Sequence, residues 1–492
     1  MRKSSQARSN RRQFLKSTSA VGGSLIIMGT KATAGIQGAN DRVRIAVAGL
    51  NGRGQSHIDG WSKADNVELA YVIDPAANVL QRRMDGLEKR ATGKFTTKGV
   101  ADFREALDDK GLDAISIATP NHWHSLMTIR AAQAGKHVYV EKPMSHDVSE
   151  GRTAVEAQKK YGVVVQHGTQ RRSNAGIAGL HEALKSGELP RLKIAYGYCC
   201  KPRGGIGNKP PGPPPENLNW DLWKGPAVID QYHANYHPYN WHWFWETGNG
   251  DLNNQGTHQL DIARWAIDDD QTHPVRAMSI GGRFQWDDQG ETPNTMFSYA
   301  EYPNGQMVFF NVRNVNYEGY QRQVFNEYYL EDGSVITGEG SYQILRPGAK
   351  RPEKLKLAQG HVTPGGNWNS FIAAVRAGDP SMANGNALDA HYGCVLGHLM
   401  NNSYRIGEPV SFHVDAANLL GNDDAVAHFT KLHEVMRDGV GIAENSTEYQ
   451  LGKSLTFDPA TERFTGEFAE QANALIKDAD NSGFEIPGAT VV

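Results

Sequence analysis

Short apolar runs alternate with amphipathic stretches through the first 190 residues. Apolar, β-branched runs predict strands at 42–49, 67–73 and 163–166, and the helical spacing at 148–161 predicts a helix. Residues 97–110 fit a short strand and helix, and 112–143 fit a strand, a helix and a second strand. Because helical crossovers join parallel strands, this alternation up to a last helix at 175–186 predicts a six-stranded, doubly wound (Rossmann) sheet.

The pattern changes after residues 187–190, which we interpret as a domain boundary. Alternation predicts a strand at 192–198, a Gly- and Pro-rich loop follows at 201–215, and aromatic residues are dense at 220–246. Strand patterns between 276 and 342, with turns at 303–305 and 332–333, indicate an antiparallel sheet, and helices are expected at 367–377 and 388–406. The predicted domains are 35–188 and 189–410, with 411–492 as a C-terminal extension packing on the body.

Composition places the chain among ordinary globular proteins, with 39% hydrophobic and 21% charged residues in 492. The net charge is −3, but residues 1–34 hold seven Lys or Arg and no acid, which leaves 44 basic and 54 acidic residues elsewhere. A body with a net charge of −10 argues against nucleic acid as a partner. Three cysteines give no disulfide framework, and adjacent Cys199 and Cys200 are expected to be packed strand residues.

The basic N-terminus has the features of a twin-arginine export signal. Arg11 and Arg12 precede Phe-Leu-Lys, a mild apolar run at 20–29 and an Ala-x-Ala cleavage site at 32–34. A signal over residues 1–34 predicts export of the folded protein by the twin-arginine translocase, to the periplasm or another extracytoplasmic space. The alternative is a basic disordered tail. The run is too short for a stable membrane span, and no later stretch approaches about 18 uninterrupted apolar residues.

A glycine-rich loop follows the first predicted strand. Its sequence, GLNGRG, resembles the dinucleotide fingerprint G-x-G-x-x-G with Asn51 at the second glycine, and Asn tolerates a left-handed backbone. Asp74 ends the second strand, where a carboxylate would bind ribose hydroxyls and repel a 2′-phosphate, so NAD is favoured over NADP. A turn that caps the following helix is the alternative for Asp74. The candidate cofactor residues here are Gly49, Asn51, Gly52, Arg53, Gly54 and Asp74.

Two polar segments bound the predicted strand–helix–strand unit at 112–143. A turn of Pro, Asn and His follows its first strand, and Glu141, Lys142 and Pro143 end its second. Ligands of parallel sheets bind at the carboxyl ends of the strands, so both segments face one crevice. Lys142, between a carboxylate and a proline, is therefore a candidate for chemistry. An ion pair with Glu141 is the alternative, although neighbours on a strand point to opposite faces.

Four segments in order carry a resemblance to a known family. They are the loop at 49–54, ATPNHWH at 118–124, GKHVYVEKP at 135–143 and GDLNNQGTHQLD at 250–261. Together they resemble the glucose–fructose oxidoreductase, inositol dehydrogenase and MocA family (Gfo/Idh/MocA), from about residue 43 to at least 407. The resemblance implies the α/β fold class, with a Rossmann domain followed by an α+β domain whose open, mostly antiparallel sheet serves in oligomer contacts. A homo-oligomer is therefore expected.

The resemblance also implies roles for individual residues. Lys142 is expected to touch the cofactor and the substrate hydroxyl, and His258 to act as the acid/base, with a satisfied interior histidine as the alternative for His258. The family commonly has Asp four residues before this histidine, on the same helix face, whereas Asn254 can orient a hydroxyl but cannot accept a proton. The implied cofactor residues are Thr119, Pro120, Asn121, His122, His124, Glu141, Lys142 and Gln170.

Candidate substrate residues come from the aromatic segment and the last motif. The residues Tyr239, Trp241, Trp243 and Trp245 either stack on a sugar or belong to the core, and strand-like alternation would turn one set inward. Asp261 is a candidate for orienting the imidazole of His258, with helix capping or a pair with Arg264 as the alternatives. The full set of candidates is Tyr239, Asn240, Trp241, His242, Asn254, His258 and Asp261.

Several histidines raise the question of a metal ion. The sequence has no H-E-x-x-H motif or paired Cys spacing, and His122 and His124 fall inside the nucleotide turn, so no metal is expected. The predicted function is an exported NAD-dependent oxidoreductase that acts on a sugar or glycoside hydroxyl with a tightly bound, recycled cofactor. The alternatives are an NAD-dependent glycosidase that works by oxidation and elimination, and a non-catalytic binder of sugar or nucleotide.

Overall fold

Six parallel strands form the first sheet of the computed structural model, which describes residues 42–492. The strands are β1 (Val43–Ala48), β2 (Val67–Ile73), β3 (Lys98–Val100), β4 (Ala114–Ile117), β5 (His137–Val140) and β6 (Val165–His167). Their order is β3-β2-β1-β4-β5-β6, which confirms the predicted doubly wound sheet. The strand order reverses beside β1, so a ligand crevice opens beyond the carboxyl ends of β1 and β4. The predicted signal at 1–34 lies outside the described residues.

Apolar side chains on both faces of β1 anchor the helices around this sheet. Ala46 and Ala48 belong to one core cluster, and Ile45 and Val47 to another on the opposite face. The helices of this part are α1 (Arg53–Trp61), α2 (Ala77–Arg90), α3 (Phe103–Leu107), α4 (His124–Gln133) and α5 (Val148–Tyr161), followed by α6 (Ala175–Ser186). The helices predicted at 148–161 and 175–186 are therefore confirmed.

The second sheet contains twelve strands and begins with β7, close to the predicted boundary. Its strands are β7 (Leu192–Cys200), β8 (Arg276–Gly282), β9 (Thr295–Glu301), β10 (Met307–Arg313), β11 (Asn326–Leu330), β12 (Val335–Gly338), β13 (Tyr342–Leu345), β14 (Glu353–Leu355), β15 (Glu408–Ser411), β16 (Glu448–Leu451), β17 (Leu455–Asp458) and β18 (Arg463–Thr465). Only the β7–β10 pairing among these described strands is parallel, which confirms a mostly antiparallel sheet. Cys199 and Cys200 are buried on β7, as predicted.

Short helices and turns connect the strands of the second part. The helices are α7 (Trp220–Lys224), α8 (Gly250–Asn253), α9 (Thr257–Ala266), α10 (Gly366–Ala377), α11 (Ala387–Arg405), α12 (Asp423–Glu434) and α13 (Ala469–Asn473). Helices α10 and α11 match the predicted helices to within a residue. Phe371 of α10 packs in the same core cluster as β1, so this helix returns to the first sheet. No helix within residues 42–492 has the length and apolarity needed to cross a bilayer.

Different parts of the chain cover the two faces of the second sheet. Helices α6, α9 and α11 pack on one face, in a cluster that includes Leu260 and Leu396. On the other face, Tyr196 and Phe309 pack in a cluster with Phe429, which belongs to the segment between β15 and β16. These three side chains are at most 2% exposed. The chain therefore covers this second face with its own residues 412–436.

The C-terminal extension becomes part of the body in two places. Strands β16 and β17 both pair with β8, so the extension adds to the second sheet. Farther along, the ring of Phe484 contacts the edge of Trp123, with centroids 5.4 Å apart, and the Asn481 amide donates to the Gly225 carbonyl at 2.9 Å. The end of the chain thus returns to the side of the first sheet where the ligand crevice lies.

A buried acidic group lies where this extension meets α5. The backbone N–H of Glu150 donates to Asp147 at 2.8 Å, and the Glu150 carboxylate accepts from the His146 N–H at 2.7 Å. The His146 ring lies 3.0 Å from a carboxylate oxygen of Asp478. Burial raises the pKa of Glu150 to about 7, so this carboxyl gains its charge within the physiological range.

The free energy of unfolding is expected to fall as pH rises from about 4.5 to 7. Glu150 binds a proton more tightly in the folded state than in the unfolded state, so raising the pH through this window favours unfolding. Urea titrations across the window are expected to show a loss of about 2–3 kcal/mol, of which Glu150→Gln removes a part. Burial and the Glu150 charge raise the pKa of neighbouring Asp147 as well, so Asp147 contributes in the same direction. Exposed Glu188→Gln is the control, and an unchanged slope in Glu150→Gln contradicts the prediction.

Candidate functional site

A cavity of about 640 Å³ lies beyond the carboxyl ends of β1 and β4. The first sheet forms one side, and the segments around α7, Tyr239 and His258 form the other. The predicted site residues that line it are Gly49, Asn51, Gly52, Arg53, Asp74, Thr119, Pro120, Asn121, His124, Glu141, Lys142, Gln170, Tyr239, Trp241, His242, Asn254 and His258. The structure therefore brings most of the predicted cofactor and substrate residues to one cavity, whereas Gly54, His122, Asn240 and Asp261 do not line it.

The loop at 49–54 leaves space for a ligand at its centre. A Cβ on Gly49 would lie 2.5 Å from the Ala118 carbonyl oxygen, and a Cβ on Gly54 would lie 1.8 Å from that of Gly49, so both positions require glycine. Gly52 has φ +38, and nothing lies within 4 Å of its Cβ position. Asn51 is not among the described residues with positive φ. The positive φ values of this loop therefore fall on Gly49 and Gly52, and the backbone reason we gave for Asn51 was wrong.

Asp74 lies between the glycine loop and the start of α2, and it faces the cavity. Its carboxylate accepts hydrogen bonds from the N–H groups of Leu50 and Ala76, each at 2.9 Å, and it also lines the cavity. Burial raises the pKa of this carboxyl, and the two backbone donors oppose that rise. Asp74 therefore joins the glycine loop to the start of α2 while facing the cavity.

His124 connects the two polar segments that bound the strand–helix–strand unit. Its ring nitrogens lie 2.6 Å from the Pro143 carbonyl and 2.9 Å from the Thr119 carbonyl. The Thr119 hydroxyl is buried and has no hydrogen-bond partner among the described residues. It is therefore available to a ligand in the cavity.

His122 does not line the cavity, so the predicted cofactor contact for this residue is wrong. The Asn121–Trp123 stretch is a 3₁₀ turn, which directs the His122 ring toward the carbonyls of Trp223 at 3.1 Å and Thr247 at 3.4 Å. Burial lowers the pKa of His122 to about 3. This neutral ring links the turn to the aromatic segment.

One carboxylate oxygen of Glu141, Oε1, is engaged by partners other than Lys142. Its carboxylate accepts hydrogen bonds from Arg53 at 2.8 Å and His57 at 3.1 Å, and the amide of Gln170 lies at 3.4 Å. These donors and the Arg53 charge hold the pKa of Glu141 well below its usual range, against the effect of burial. Glu141 therefore positions the loop residue Arg53.

Lys142 extends toward the second part of the chain. Its ammonium donates to the backbone carbonyl of Asn254 and to the side-chain oxygen of Asn254, the latter at 3.2 Å. His258 lies nearby on α9, and its buried Nδ1 has no hydrogen-bond partner within residues 42–492. Burial and the Lys142 charge lower the pKa of His258 to about 3, so the ring is neutral at neutral pH. The Lys142 ammonium and the neutral His258 ring thus line the same cavity.

Asn254 and His258 do not share one helix. Helix α8 ends at Asn253 and α9 begins at Thr257, so the predicted common helix face is wrong. Asp261 is also placed differently from our prediction. Its fully buried carboxylate accepts two hydrogen bonds from Arg172, at 2.9 and 3.0 Å, and it does not line the cavity. The predicted substrate and imidazole contacts of Asp261 are therefore wrong, because Arg172 takes both of its oxygens.

The aromatic segment is a compact turn in place of the strand that its alternation suggested. Asn240–Trp243 is a 3₁₀ helix, within which Trp241 and His242 stack with centroids 3.5 Å apart. Both rings line the cavity beside Tyr239, which is 52% exposed. Asn240 does not line the cavity, and its amide donates to Asn235 at 3.1 Å. The predicted substrate contact of Asn240 is therefore wrong.

Sequence reasoning missed several residues of the cavity wall. The additional residues include Phe103, Trp123, Met127, Leu222, Trp223, His237 and Pro238. The density of aromatics at 220–246 was the signal for the last four. Nothing in the sequence around Phe103, Trp123 and Met127 distinguished these three from core residues.

One group of described side chains has metal-ligand geometry, although no metal was expected. Ligand atoms of His273, His391 and Glu462 lie within 4.8 Å of one another. Arg152 Nε, however, lies 3.1 and 3.0 Å from the two Glu462 oxygens. A bound cation would face this guanidinium charge at close range, so the group does not fit a metal ion.

Comparison with known proteins agrees with this architecture. Residues 43–169 match the model of an oxidoreductase family with an NAD-binding Rossmann fold, and residues 203–442 match that family's C-terminal alpha/beta domain. The fold and the cavity thus define a two-domain, NAD-binding protein of the oxidoreductase class. The chain belongs to the Gfo/Idh/MocA family.

Two curated relatives resemble part of this chain. The scyllo-inositol 2-dehydrogenase (NAD(+)) of Bacillus subtilis is 32% identical over 160 residues, which are 32% of this chain and 44% of that protein. A glycosyl hydrolase family 109 protein of Shewanella baltica is 34% identical over 112 residues, 22% of this chain and 24% of that protein. The chain thus spans less than half the length of these relatives.

Solved structures extend the likeness over most of the chain. Levoglucosan dehydrogenase in complex with NADH has a TM-score of 0.55 at 15% identity, covering 73% of this chain and 96% of its own. The aldose-aldose oxidoreductase from Caulobacter crescentus, complexed with glycerol, has a TM-score of 0.52 at 17% identity, covering 73% and 97%. At these identities the comparison establishes the fold.

Proposed function

We propose that the protein is an exported, NAD-dependent enzyme that acts on a hydroxyl group of a sugar or glycoside. The observation that carries the proposal is the single cavity that joins the glycine loop and Asp74 to Lys142 and His258. Stacked Trp241 and His242 add a flat, partly polar surface of the kind that sugars contact. The names of the relatives, which include inositol and levoglucosan dehydrogenases, support the same substrate class.

The residues of the cavity fit NAD. The open space at Gly52 and the backbone of the loop suit a pyrophosphate, Asp74 suits the ribose hydroxyls, and the unpartnered Thr119 hydroxyl suits the nicotinamide side. When bound, the nicotinamide would accept a hydride from the carbon that carries the substrate hydroxyl.

Lys142 and His258 have different roles toward the substrate hydroxyl group. The Lys142 ammonium has three N–H donors, and its hydrogen bonds to protein atoms go to Asn254. Its remaining donor is directed to the hydroxyl oxygen, which it orients and polarises. His258 is neutral in the resting state, so a ring nitrogen is available to accept the hydroxyl proton.

Two reactions are consistent with this arrangement. In the first, one sugar is oxidised and a second is reduced, which regenerates the cofactor. In the second, transient oxidation of the hydroxyl acidifies a neighbouring C–H bond, and elimination breaks the glycosidic bond and releases the aglycone as an alcohol. Water then adds to the resulting double bond, and return of the hydride to the carbonyl restores the hydroxyl. The similarity to the glycosyl hydrolase family 109 protein and the aromatic segment favour the second reaction slightly.

Export by the twin-arginine route belongs to the same proposal. An extracytoplasmic enzyme has no free NAD pool, so a cofactor bound before export and recycled in place suits both reactions. Replacing Arg11 and Arg12 by lysine is expected to keep the protein in the cytoplasm, as measured by cell fractionation. Efficient export of that variant contradicts the proposed route.

Analysis of the purified protein tests the proposed function. Acid denaturation is expected to release nicotinamide cofactor, and a screen of sugars should reveal reduction of the bound cofactor by its absorbance. Release of p-nitrophenol from p-nitrophenyl glycosides, dependent on NAD, would select the glycosidase reaction. If no cofactor is released and added NAD does not raise the melting temperature, the proposal fails and a non-catalytic role replaces it.

Asp74→Ala is expected to lower NAD affinity about tenfold or more and to reduce the preference for NAD over NADP. The change removes the acceptor for the Leu50 and Ala76 N–H groups and the charge that would repel a 2′-phosphate. Titration calorimetry of cofactor-stripped protein measures both affinities. Exposed Asp85→Ala on α2 is the control, and equal NAD affinity in the Asp74 variant contradicts the assignment.

Formation of a homo-oligomer stays a prediction. The second face of the twelve-stranded sheet is covered by residues 412–436 of the same chain, so subunit contacts would have to use another surface. Sedimentation equilibrium of the full chain measures the state. An oligomer that dissociates only when Phe429 is replaced by Asp would contradict this covered-face interpretation.

A further inference from the structure

A buried carboxylate lies behind the Lys142–Asn254 contact. Asp251 is fully buried on α8 and does not line the cavity. It accepts hydrogen bonds from Arg203 at 2.9 and 2.8 Å and from the Asn314 amide at 2.9 Å. It also accepts a hydrogen bond from the Asn254 amide at 3.1 Å. Four donor atoms thus converge on one carboxylate that the proposed reaction has not used.

Asn254 connects this carboxylate to Lys142 in a defined orientation. Its amide nitrogen donates to Asp251, so its amide oxygen faces the Lys142 ammonium at 3.2 Å. Reversing the amide would place the NH₂ group against an ammonium and the oxygen against a carboxylate, which are two repulsive contacts. Asp251 therefore selects the orientation in which Asn254 accepts from Lys142.

We propose that Asp251 is a positioning residue for Lys142, acting through Asn254, and that it supplies a buried carboxylate charge behind the Lys142–Asn254 contact. The catalytic consequence rests on the proposed function, whereas the contacts do not. Asp251 holds Lys142 at the cavity wall and favours its charged form, while Asn254 itself carries no charge.

The charges around Lys142 identify Asp251 as the relevant acid. The titratable groups that face the ammonium are Glu141, Arg53, His124, His242, His258, Lys201 and Asp251. Burial lowers the pKa of Lys142, and the negative charges of Glu141 and Asp251 oppose that decrease. Glu141 is already paired with Arg53 and His57, and the histidines are neutral because burial lowers the pKa of each. Asp251 is thus the acid that reaches Lys142 from the second part of the chain.

Arg203 keeps this carboxylate ionised in a buried place. Its two nitrogens bind both Asp251 oxygens, and the guanidinium lies 5.2 Å from the centre of the Trp243 ring. The pKa of Asp251 lies below its usual value because the Arg203 hydrogen bonds and charge outweigh burial. The Gly- and Pro-rich loop therefore contributes to the site through Arg203.

Trace acetylation with acetic anhydride across a pH series tests the proposal without substrate. Mass spectrometry of the Lys142 peptide gives the midpoint at which this amine becomes reactive. Asp251→Asn is expected to lower that midpoint by about one pH unit, because the charged form loses an opposing charge. The double variant Asp251→Asn/Asn254→Asp restores a carboxylate beside Lys142 and is expected to restore the midpoint.

A second variant, Asn254→Ala, provides a test in case Asp251→Asn does not fold. Asn254→Ala leaves the Asp251–Arg203 pair intact but removes the bridge, so the midpoint should move in the same direction by a smaller amount. Asp288→Asn is the control, since Asp288 also pairs with an arginine, Arg283, but does not line the cavity. An unchanged midpoint in folded Asp251→Asn, or in Asn254→Ala where the first variant does not fold, overturns the proposal.

The labelling experiment separates this inference from the proposed function. If the wild-type protein turns over no sugar or glycoside, only the proposed function fails, because the Lys142 midpoint is measured regardless. If the enzyme is active but Asp251→Asn leaves the acetylation midpoint of Lys142 unchanged, only the positioning role fails. In an active enzyme that needs Lys142 charged, the alkaline-side limit of the pH–rate profile should shift together with the midpoint.

Discussion

Lys142→Met is expected to lower turnover by about a thousandfold or more while leaving the protein folded and loaded with cofactor. Methionine preserves most of the apolar stem but removes the ammonium, which is the only described cation that contacts Asn254 at the cavity wall. The glycine loop and Asp74 are untouched, so cofactor content should stay near that of the wild type. The measurements are turnover with the sugar or glycoside identified by screening, and cofactor released by acid.

A surface lysine provides the matched control for this variant. Lys193→Met on β7 removes a partly exposed ion pair with Asp424, which contributes little to stability. It should turn over substrate at the wild-type rate. Full turnover by Lys142→Met would remove the proposed mechanism and leave the family assignment intact. Loss of both turnover and cofactor would instead place Lys142 in cofactor binding.

The parallel sheet and its cofactor edge could be predicted because their signals are local. Strands such as Val43–Ala48 are buried on both faces and read as continuous apolar runs, and the glycine loop follows at a fixed distance. The crevice then follows from topology alone, which is why Asp74, Thr119 and Lys142 were placed correctly on the cavity.

The wrong predictions for Asp261 and His122 have a different cause. Each side chain forms its hydrogen bonds with a residue that is distant in the sequence. Asp261 sits one turn beyond His258 in the motif, yet Arg172, 89 positions earlier in the chain, takes both of its oxygens. His122 belongs to the nucleotide turn but bonds the carbonyl of Trp223, 101 positions later. No local spacing reports such contacts, because they depend on how the second part of the chain packs against the first.

Asp251 is a residue that sequence analysis overlooked because its role also depends on distant contacts. It lies inside a motif that was used for recognition, but a sequence pattern does not show that Asn254 turns its amide toward it or that Arg203 comes from the Gly- and Pro-rich loop. The alternation at 239–245 misled for a related reason. Asn240–Trp243 forms a 3₁₀ turn, in which Trp241 and His242 stack on each other and do not point to opposite faces of a strand.

Glu462→Ala is expected to lower the free energy of unfolding by about 3–5 kcal/mol at neutral pH. Glu462 lies in the C-terminal extension between β17 and β18, and its carboxylate accepts hydrogen bonds from Arg152 of α5 at 3.0 and 3.1 Å. The rings of His273 and His391 lie 2.8 and 2.9 Å from the same carboxylate. Removing it leaves a guanidinium and two buried N–H donors without their acceptor, which is costly in a low-dielectric interior.

The pH dependence of this contribution has a defined sign. The Arg152 charge and the two imidazole donors hold the pKa of Glu462 well below its usual range, so the stabilising contribution is present above pH 4.5 and decreases as the pH falls below it. Urea unfolding of the wild type and of Glu462→Ala should therefore converge in acid. Exposed Glu467→Ala on the same segment is the control. Equal stability of wild type and Glu462→Ala at neutral pH, or destabilisation of the wild type by a chelator, would show that a different interaction holds the extension in place.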